Sequence, residues 1–312
     1  MTARLGAAAA SLMNRHGVVW LTDPAYPPLL RQIHDPPPRL FVAGQLPSGP
    51  TIAVIGSRRA TPYGESVAYR LARDLSHDGV IVVSGLARGI DAAAHRGALE
   101  GPTPTIAVMA TGLDRIYPPE HKELARSIAR TGALLTEAEP GTLPLPGYFP
   151  VRNRIISGLS LGVVVVEAAE RSGALITARM ALEQGRDVFC VPGSIDNPVA
   201  VGSHRLLKDG AKLVETVEDV LDEFPQLARA RARAQAHTHA RTRARTRADS
   251  EPQDPELSLV WGLLDWVQPR HHDDLADSLG LDIKELNRRL TLLEMSGYII
   301  GDSGGVIRRP KD

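Results

Sequence analysis

The sequence predicts an α/β protein: an extended, Rossmann-like, doubly wound and mostly parallel sheet, followed by a small C-terminal winged-helix domain. Three observations predict this fold. Short apolar runs alternate with helical patterns from residue 51 to residue 224. A segment of arginine and alanine follows at 228–248, and three further helical patterns then precede a hairpin signal. Apolar strands that alternate with helices are typical of a parallel sheet covered on both faces.

The strands and helices of the sheet domain follow one another in strict alternation. We expect strands at 51–55, 80–84, 105–109, 133–136, 162–166, 187–191 and 212–214, and helices at about 62–77, 90–99, 119–130, 150–160, 174–184, 202–209 and 216–223. Before them, residues 1–50 predict a short helix, an apolar segment at 18–20 and a small edge strand at 40–44.

The C-terminal pattern predicts a separate small domain. Helices are expected at 257–267 and 273–279, and Asp282 is expected to cap a third helix that ends at Met295. A hairpin signal follows at 298–308. The chain therefore divides into a short N-terminal lead-in (1–45), a Rossmann-like core (46–225), an Arg/Ala-rich linker (226–250) and a winged-helix domain (251–312).

Charge is distributed unevenly along a chain whose formal net charge is zero. Residues 229–247 contain seven arginines and no acid, whereas residues 248–312 contain 7 basic and 13 acidic residues. Long-range repulsion opposes DNA binding by the acidic winged-helix domain alone, so we expect that domain to have an accessory or protein-contact role. The basic linker is interpreted as a solvated tether, an auxiliary nucleic-acid contact or, through His237 and His239, a metal ligand.

Composition restricts the cellular setting and the chemistry. A single cysteine, Cys190, excludes an intrachain disulfide, suits a reducing cytoplasm and is expected to be a small core residue. No apolar run approaches the length of a membrane span, and the alanine-rich N-terminus is too short for a signal peptide of the usual kind. We expect a cytoplasmic protein with no membrane contact, no metal and no cofactor.

Two strands end in loops that carry glycine and arginine. The first strand continues into Gly56, Ser57 and Arg58, and the second into Gly85, followed by Arg88 and Gly89. Carboxyl ends of parallel strands meet at one edge of the sheet, where ligands bind. Glycine allows a close approach of the backbone, and a guanidinium suits phosphate. The spacing matches neither a P-loop nor a dinucleotide fingerprint, so the two loops indicate a phosphate site of another kind.

A third stretch combines an aromatic ring with cations. Phe149 is expected to precede a helix whose first turn contains Pro150, and Arg152, Asn153 and Arg154 crowd that helix start. Cations are unfavourable there unless an anion is also present. Single-stranded nucleic acid uses such a pairing, with charge for its backbone and a ring for its bases. A core phenylalanine with surface arginines is the alternative.

A fourth stretch follows the strand at 162–166. Ser172 and Gly173 open the next helix, where Ser172 could cap the helix, hold a phosphate, or both. Asp91 and His95 share a helix face and could form a general-base dyad, but we expect an N-cap and a packing residue. The chain has no Gly-x-Ser-x-Gly elbow, so a hydrolase would lack its nucleophile.

Taken together, these stretches resemble the DNA-processing protein A family (DprA, also called Smf) between about residues 40 and 224. The matching residues are Ile55–Arg58, Ser84–Asp91 with Ala94 and His95, Gly112–Asp114 with Tyr117 and Pro118, Phe149 and Pro150, Arg152–Ser160, Glu167 and Ala168, Ser172–Ala178, Val191–Gly193, Gly202 and Ser203, and Gly210 and Ala211. The C-terminal pattern is similar to that family's winged-helix domain.

The resemblance implies a protein that binds single-stranded DNA without hydrolysing it. It implies a homodimer that protects incoming strands and loads the RecA recombinase onto them in natural transformation. By the same resemblance, Arg58 contacts the DNA phosphates and Phe149 stacks on a base. Arg152, Asn153, Arg154, Ser172 and Gly173 would shape the edge of the pocket.

Three departures from the family pattern concern charge and assembly. Pro146 stands where many members have a lysine, so Arg115, Lys122 or the basic linker would have to compensate. His204 replaces a frequent asparagine, and the N-terminal helical region is short.

Two competing functions remain from the sequence. One is a nucleotide phosphoribohydrolase-like enzyme that uses Glu167 or the Asp91–His95 pair. The other is a winged-helix transcription factor with a Rossmann-type ligand sensor, against which the acidic C-terminal domain argues.

Overall fold

Nine strands form one sheet in a computed structural model that describes residues 16–225, 227, 252, 254–264, 270–296, 298–302 and 305–308. The strands are β1 (His16–Trp20), β2 (Arg39–Gly44), β3 (Thr51–Ile55), β4 (Ile81–Ser84), β5 (Thr105–Val108), β6 (Ala133–Thr136), β7 (Gly162–Val165), β8 (Asp187–Cys190) and β9 (Lys212–Leu213). Their order across the sheet is β1-β2-β6-β5-β4-β3-β7-β8-β9. All neighbouring pairs from β6 to β9 are parallel, while β1–β2 and β2–β6 are antiparallel.

Helices connect the parallel strands and cover both faces of the sheet. They are α1 (Pro28–Arg31), α2 (Pro62–His77), α3 (Ile90–Ala98), α4 (Lys122–Thr131), α5 (Tyr148–Leu159), α6 (Gly173–Glu183), α7 (Val201–Lys208) and α8 (Glu218–Leu221), with short 3-10 turns at Pro119–His121 and Pro198–Ala200. One core cluster packs under α5 and α6, and another packs under α2 and α3. The predicted extended, doubly wound fold is confirmed.

The sheet reverses its direction of growth between β3 and β7. From β3 the chain adds β4, β5 and β6 on one side, and it then returns to place β7 on the other side of β3. Such a reversal leaves a crevice at the carboxyl ends of the two central strands, because the connecting helices leave in opposite directions. The loops after β3 and β7 therefore border the place where this type of sheet binds ligands.

The N-terminal segment corrects one expectation. Residues 40–44 were expected to form an edge strand, but β2 lies between β1 and β6. The apolar segment at 18–20 forms β1, whose pairing with β2 covers that edge: Val18 lies opposite Phe41, and Trp20 lies opposite Arg39. Sequence patterns do not reveal such pairing, because both strands are short and β6, the second partner of β2, lies about ninety residues away in the chain.

Clustering of contacts divides the chain into two units, residues 1–234 and 235–312. The second unit contains α9 (Pro255–Gly262), α10 (His272–Leu279), α11 (Ile283–Met295) and a hairpin of β10 (Ile299–Asp302) with β11 (Gly305–Arg308). Asp282 caps α11 as predicted, and Gly280 ends α10 in the left-handed conformation. The first helix ends at Gly262, before the predicted Val267, and 265–269 lie outside the described residues.

Some predicted features cannot be followed further. The alanine-rich N-terminus up to residue 15 and almost all of the basic linker lie outside the described residues. Within the part of the chain that the structure describes, no helix has the length and apolar character needed to cross a bilayer. The same part holds no cluster of three or more His, Cys, Asp or Glu side chains placed to bind a metal.

Candidate nucleic-acid interface

The loop after β3 presents Arg58 at the carboxyl edge of the sheet. Gly56 is required there, since a Cβ atom at this position would lie 2.6 Å from Ile90 and 2.9 Å from the Glu167 carbonyl oxygen. Ser57 is buried, and its hydroxyl accepts a hydrogen bond from the Arg59 backbone N–H (3.1 Å). The tight turn therefore leaves the Arg58 side chain exposed to solvent.

Arg58 stacks on an aromatic pair. Its guanidinium carbon lies 4.6 Å from the centroid of the Phe149 ring, and the Tyr117 ring lies 5.8 Å from Phe149 at an interplanar angle of 56°. Phe149 is half-buried, and Tyr117 is 37% exposed. Arg58 has no ion-pair partner among the residues that the structure describes. The arrangement offers an unneutralised cation beside accessible ring surface.

The position of Phe149 differs from expectation in one respect. Helix α5 begins at Tyr148, so Phe149 lies within its first turn and does not precede it, while Pro150 occupies the first turn as predicted. Tyr117 was not selected as a site residue, although it belongs to the motif that carries the resemblance. The sequence does contain an indication of its role, because aromatic residues make up only 4% of the chain and Tyr117 follows a predicted strand.

The loop after β4 packs directly against the loop after β3. A Cβ atom on Gly89, which has a positive φ of 68°, would lie 2.4 Å from the Ser57 carbonyl oxygen. That same oxygen accepts a hydrogen bond from the Ile90 N–H at 3.2 Å. Arg88 is exposed at the edge and forms an ion pair with Glu120 at 2.5 Å. Hydrogen bonding and charge from Glu120, and to a smaller extent from Tyr117, raise the pKa of Arg88.

Arg152 lies beneath this surface, in the protein interior. Its side chain is 5% exposed, and it donates hydrogen bonds to the carbonyl oxygens of Gly85 (2.8 Å) and Val108. Asp91 accepts hydrogen bonds from the Gly85 and Ala87 N–H groups at 3.1 and 3.3 Å. Burial raises the pKa of Asp91 and lowers that of Arg152, and each charge opposes the shift of the other.

The buried pair explains two sequence features. A Cβ atom on Gly85 would lie 2.6 Å from Arg152 and 2.7 Å from Asp91, so glycine is needed where the loop crosses the pair. Arg152 near the start of α5 was expected to require an anion. The charge of the nearby Asp91 carboxylate favours the charged form of Arg152, although the two side chains form no ion pair within 4 Å. Asp91 was expected to cap α3, but Gly89 occupies the cap position and Asp91 lies in the first turn. Its carboxylate instead fixes the β4 loop.

Asn153 and Arg154 also turn away from the exposed edge. Asn153 is buried, accepts a hydrogen bond from Arg152 (3.2 Å) and donates one to the Gly173 carbonyl oxygen (3.5 Å). Arg154 pairs with Glu137 at 2.5 Å and lies 3.5 Å from Asp35. Neither side chain reaches the surface that Arg58 and Phe149 share, so both act through the packing of α5.

Ser172 and Gly173 begin α6 on the other side of the crevice. The Ser172 hydroxyl accepts a hydrogen bond from the Ala174 N–H at 3.2 Å, so the expected N-cap is confirmed. Gly173 is exposed, and open space surrounds the position of its missing Cβ atom. These two residues therefore border the edge without contacting Arg58.

Glu167 fills the place where a nucleotide phosphate would bind. Its carboxylate accepts hydrogen bonds from the Thr61 N–H (2.9 Å) and hydroxyl (2.5 Å) at the start of α2. A Cβ atom on Gly64 would lie 2.4 Å from the same carboxyl group. Helix N-termini after the first strand bind phosphate in dinucleotide-binding proteins. Here the Glu167 carboxylate occupies the two Thr61 donors at the start of α2, and the Thr61 hydroxyl in turn accepts from the Gly64 N–H (3.1 Å).

The other residues considered for acid–base chemistry are interior as well. His95 is fully buried, and its Nδ1 lies 2.9 Å from the Thr105 hydroxyl. Burial lowers the pKa of His95 to about 3, so the ring is neutral at pH 7. Burial also raises the pKa of the Cys190 thiol to about 11, consistent with its expected role as a core residue. Acids and bases thus serve the packing of the sheet domain.

Comparison with known proteins identifies the relatives of this chain. A family model described as DNA recombination-mediator protein A matches residues 17–225, and one described as DprA winged helix domain matches residues 244–305. The chain is 46% identical over 206 residues to DNA processing protein DprA of Streptococcus pneumoniae (65% of this chain, 73% of that protein). It is 40% identical over 296 residues to protein Smf of Escherichia coli (94% of this chain, 77% of that protein).

Two solved structures share the fold. DNA processing protein A from Streptococcus pneumoniae superimposes with a TM-score of 0.64 at 42% identity, covering 70% of this chain and 78% of that one. The Helicobacter pylori protein, whose structure was described for its single-stranded DNA binding mode, gives a TM-score of 0.61 at 30% identity, covering 67% and 95%. By its sequence, its fold and its C-terminal domain, the chain belongs to the DNA recombination-mediator protein A (DprA/Smf) family.

Proposed function

We propose that this protein binds single-stranded DNA along the carboxyl edge of its sheet and does not cleave it. The observation that carries the proposal is the exposed Arg58 guanidinium, stacked 4.6 Å from the Phe149 ring centroid and without an ion-pair partner in the described structure. A guanidinium neutralises backbone phosphate, and an aromatic ring stacks on any base. Binding would therefore depend little on nucleotide sequence.

The contact between Arg58 and Phe149 also orients both groups. Stacking on the ring restricts the long arginine side chain, so less conformational freedom is lost when a phosphate binds. Gly85, Asp91 and Arg152 act as positioning residues, because they fix the conformation of the β4 loop. That loop packs against the β3 loop through Gly89 and Ile90. We assign the direct DNA contacts to Arg58 and Phe149, and we add Tyr117 as the neighbouring ring.

The single-stranded DNA binding mode named for the Helicobacter pylori relative supports this proposal. From the family we further propose a homodimer in the cytoplasm that protects incoming DNA and loads RecA onto it during natural transformation. Sedimentation of the purified protein and RecA filament assembly on strands covered by a single-strand binding protein test these two parts.

Binding of fluorescent oligonucleotides tests the DNA site. At about 0.15 M salt, Arg58→Ala should raise the dissociation constant for single-stranded DNA about 5- to 150-fold, equivalent to about 1–3 kcal/mol. The dissociation constant of Arg58→Lys should lie between those of the wild type and Arg58→Ala, since lysine keeps the charge but loses the planar stack. The matched control is Arg96→Ala, an exposed arginine in the last turn of α3, at the opposite end of that helix from the β4 loop.

Three outcomes of this experiment are decisive. Equal affinity of Arg58→Ala and wild type would refute the site. If Arg96→Ala weakens DNA binding as much as Arg58→Ala does, the loss of net charge explains the effect and no specific site is needed. Shortening of the labelled strand, or release of free base from nucleoside monophosphates, would favour the phosphoribohydrolase-like alternative, in which Glu167 or the Asp91–His95 pair acts.

A further inference from the structure

The first turn of α2 crosses the crevice on the side of Arg58 that faces away from Phe149. Thr61 bonds to Glu167, the second residue after β7, and the Tyr63 hydroxyl donates to the Pro192 carbonyl oxygen (3.1 Å), the second residue after β8. Because β7 lies between β3 and β8, the segment from Arg59 to Tyr63 spans the end of β7. Adjacent strands are about 4.8 Å apart, so Tyr63 reaches about 10 Å across the edge.

Tyr63 exposes ring surface there although its hydroxyl is bound. The residue is 52% exposed, unlike the aromatic residues of the core. A hydroxyl anchored to a backbone carbonyl fixes the ring position, so the ring can stack on a ligand at a low entropic cost. Accessible, fixed aromatic surface is the feature that already distinguishes the Phe149 side of Arg58.

Two exposed arginines lie in the loops next to this segment. Arg59 precedes Tyr63 in the β3 loop, and Arg171 lies in the loop after β7; both are exposed and form no ion pair with any residue that the structure describes. By contrast, Arg88 and Arg154 are paired with Glu120 and Glu137. Exposed Glu170 and Asp196 reduce the positive potential of the same loops. The charge of this edge is thus mixed, and Arg59 and Arg171 supply guanidiniums without an ion-pair partner in the described structure, one in the β3 loop and one in the loop after β7.

We propose that Tyr63, with Arg59 and Arg171, forms a second subsite for single-stranded DNA, which stacks a base beyond those held at Arg58 and Phe149. This inference rests on the proposed function, because the strand must first bind at Arg58. The two subsites lie on opposite sides of Arg58, so a strand that occupies both follows the carboxyl edge from β5 to β8. The subsite should contribute only when the oligonucleotide is long enough to reach it.

Oligonucleotide length separates the two subsites. We would measure the affinity of the full chain for oligothymidylates of about 4 and about 12 nucleotides, within the range of site sizes of such proteins. Tyr63→Ala should weaken binding of the longer strand about 5- to 50-fold and that of the shorter strand less than about 2-fold. Arg58→Ala should weaken the binding of both strands.

Two further variants keep the test independent of folding. Tyr63→Phe removes only the hydroxyl and should keep most of the affinity, provided that the ring acts by stacking. Arg171→Gln changes a side chain on the surface and should weaken only the longer strand, with a shallower dependence on salt. Circular dichroism and urea unfolding would show whether each variant is folded.

The results test the primary site at Arg58 and the second subsite at Tyr63 separately. If Arg58→Ala leaves both affinities unchanged, the primary site is refuted. If Arg58→Ala weakens both but Tyr63→Ala and Arg171→Gln leave the longer strand bound as tightly as wild type, the second subsite is refuted. If Tyr63→Phe weakens binding of the longer strand as much as Tyr63→Ala does, the ring surface itself contributes nothing and the stacking role of Tyr63 is refuted.

Discussion

Arg58 and Arg152 show how burial decides the role of the same side chain. Arg58 is exposed and stacked on Phe149, where its charge is available to a ligand. Arg152 is buried, donates to two carbonyl oxygens and faces Asp91. Replacing Arg152 by an uncharged residue leaves the buried Asp91 without this opposite charge and two carbonyl oxygens without their donor, which destabilises the fold. Loss of DNA binding in an Arg152 variant would therefore have to be separated from loss of folding.

His95 is a second residue whose environment fixes its protonation. The Thr105 hydroxyl donates to the Val82 carbonyl oxygen (2.7 Å), so it accepts the hydrogen bond from His95 Nδ1–H. His95 Nε2 is then an acceptor, and it has no hydrogen-bond partner among the described residues. Protonating Nε2 would bury an unpaired N–H group together with a positive charge, which explains the pKa of about 3.

This histidine should make the stability of the protein sensitive to acid. The unfolded chain takes up a proton on His95 below pH 6.5, whereas the folded chain resists protonation until about pH 3. As the pH is lowered from 6.5 to about 3, the free energy of unfolding should therefore decrease, by up to about 1.4 kcal/mol per pH unit from this group. His95→Gln should be less stable at neutral pH but should show a shallower decrease. Urea unfolding at about pH 7, 6 and 5 measures both slopes, and equal slopes would contradict the assignment.

At the scale of elements, loop contacts were harder to predict than strands and helices. Apolar runs marked β3 to β9 correctly because each strand is short and bounded by a turn. The Phe149 ring and the β3 loop were each recognised, yet their contact was not foreseen, since it joins residues about ninety positions apart. The spacing of Arg152 and Arg154 in sequence likewise gave no indication that one is buried against Asp91 and the other pairs with Glu137.

The β4 loop illustrates how elements fix a backbone that sequence alone does not reveal. Leu86 is buried with a φ of 57°, a left-handed conformation that is unfavourable for leucine. Its carbonyl oxygen lies 2.9 Å from His121 Nδ1, and its neighbours Gly85 and Ala87 donate to Asp91. These contacts over-determine the loop conformation, as is common where a protein positions a binding group. The group that this loop positions is Arg88.

Glu120 limits the contribution of Arg88 to the edge, and its removal should strengthen DNA binding. Glu120→Gln abolishes the ion pair with Arg88 and removes one negative charge, which leaves the Arg88 guanidinium free. We expect about 2- to 10-fold tighter binding of single-stranded DNA at low salt. A plot of log affinity against log salt should steepen by about 0.7, corresponding to one further phosphate contact.

The control for this variant makes the same change at the far end of a helix. Glu183→Gln replaces an exposed carboxylate at the end of α6, opposite the Ser172 cap. It should leave the salt dependence as in the wild type. If both variants tighten binding equally, net charge and not the release of Arg88 would be the cause.

At the scale of the whole molecule, charge argues against the winged-helix domain as the main DNA site. Within α11, the helix that such domains usually place on DNA, Arg288 and Arg289 form ion pairs with Glu285 and Glu256. The two guanidiniums lower the pKa of Glu285 to about 2, so that carboxylate stays ionised and keeps them occupied. A phosphate would have to compete with these acids in a domain of net negative charge.

Two truncations separate the winged-helix domain from the basic linker. A chain of residues 1–248 lacks the domain but keeps the seven arginines of 229–247, whereas a chain of residues 1–225 lacks both. We expect the longer chain to bind single-stranded DNA within about 3-fold of the full protein, because Arg58 and Phe149 remain and an acidic domain is removed. The shorter chain should bind more weakly at low salt, and this difference should vanish at about 1 M salt, where long-range attraction is screened.

These truncations also distinguish the alternative roles of the basic linker and of the winged-helix domain. Loss of binding in the chain of residues 1–248 would transfer the DNA site to the winged helix, as in a transcription factor. Equal affinity of the two truncated chains at every salt concentration would make the basic linker a solvated tether. A difference confined to low salt would instead assign the basic linker a long-range electrostatic role, as expected if its arginines compensate for Pro146.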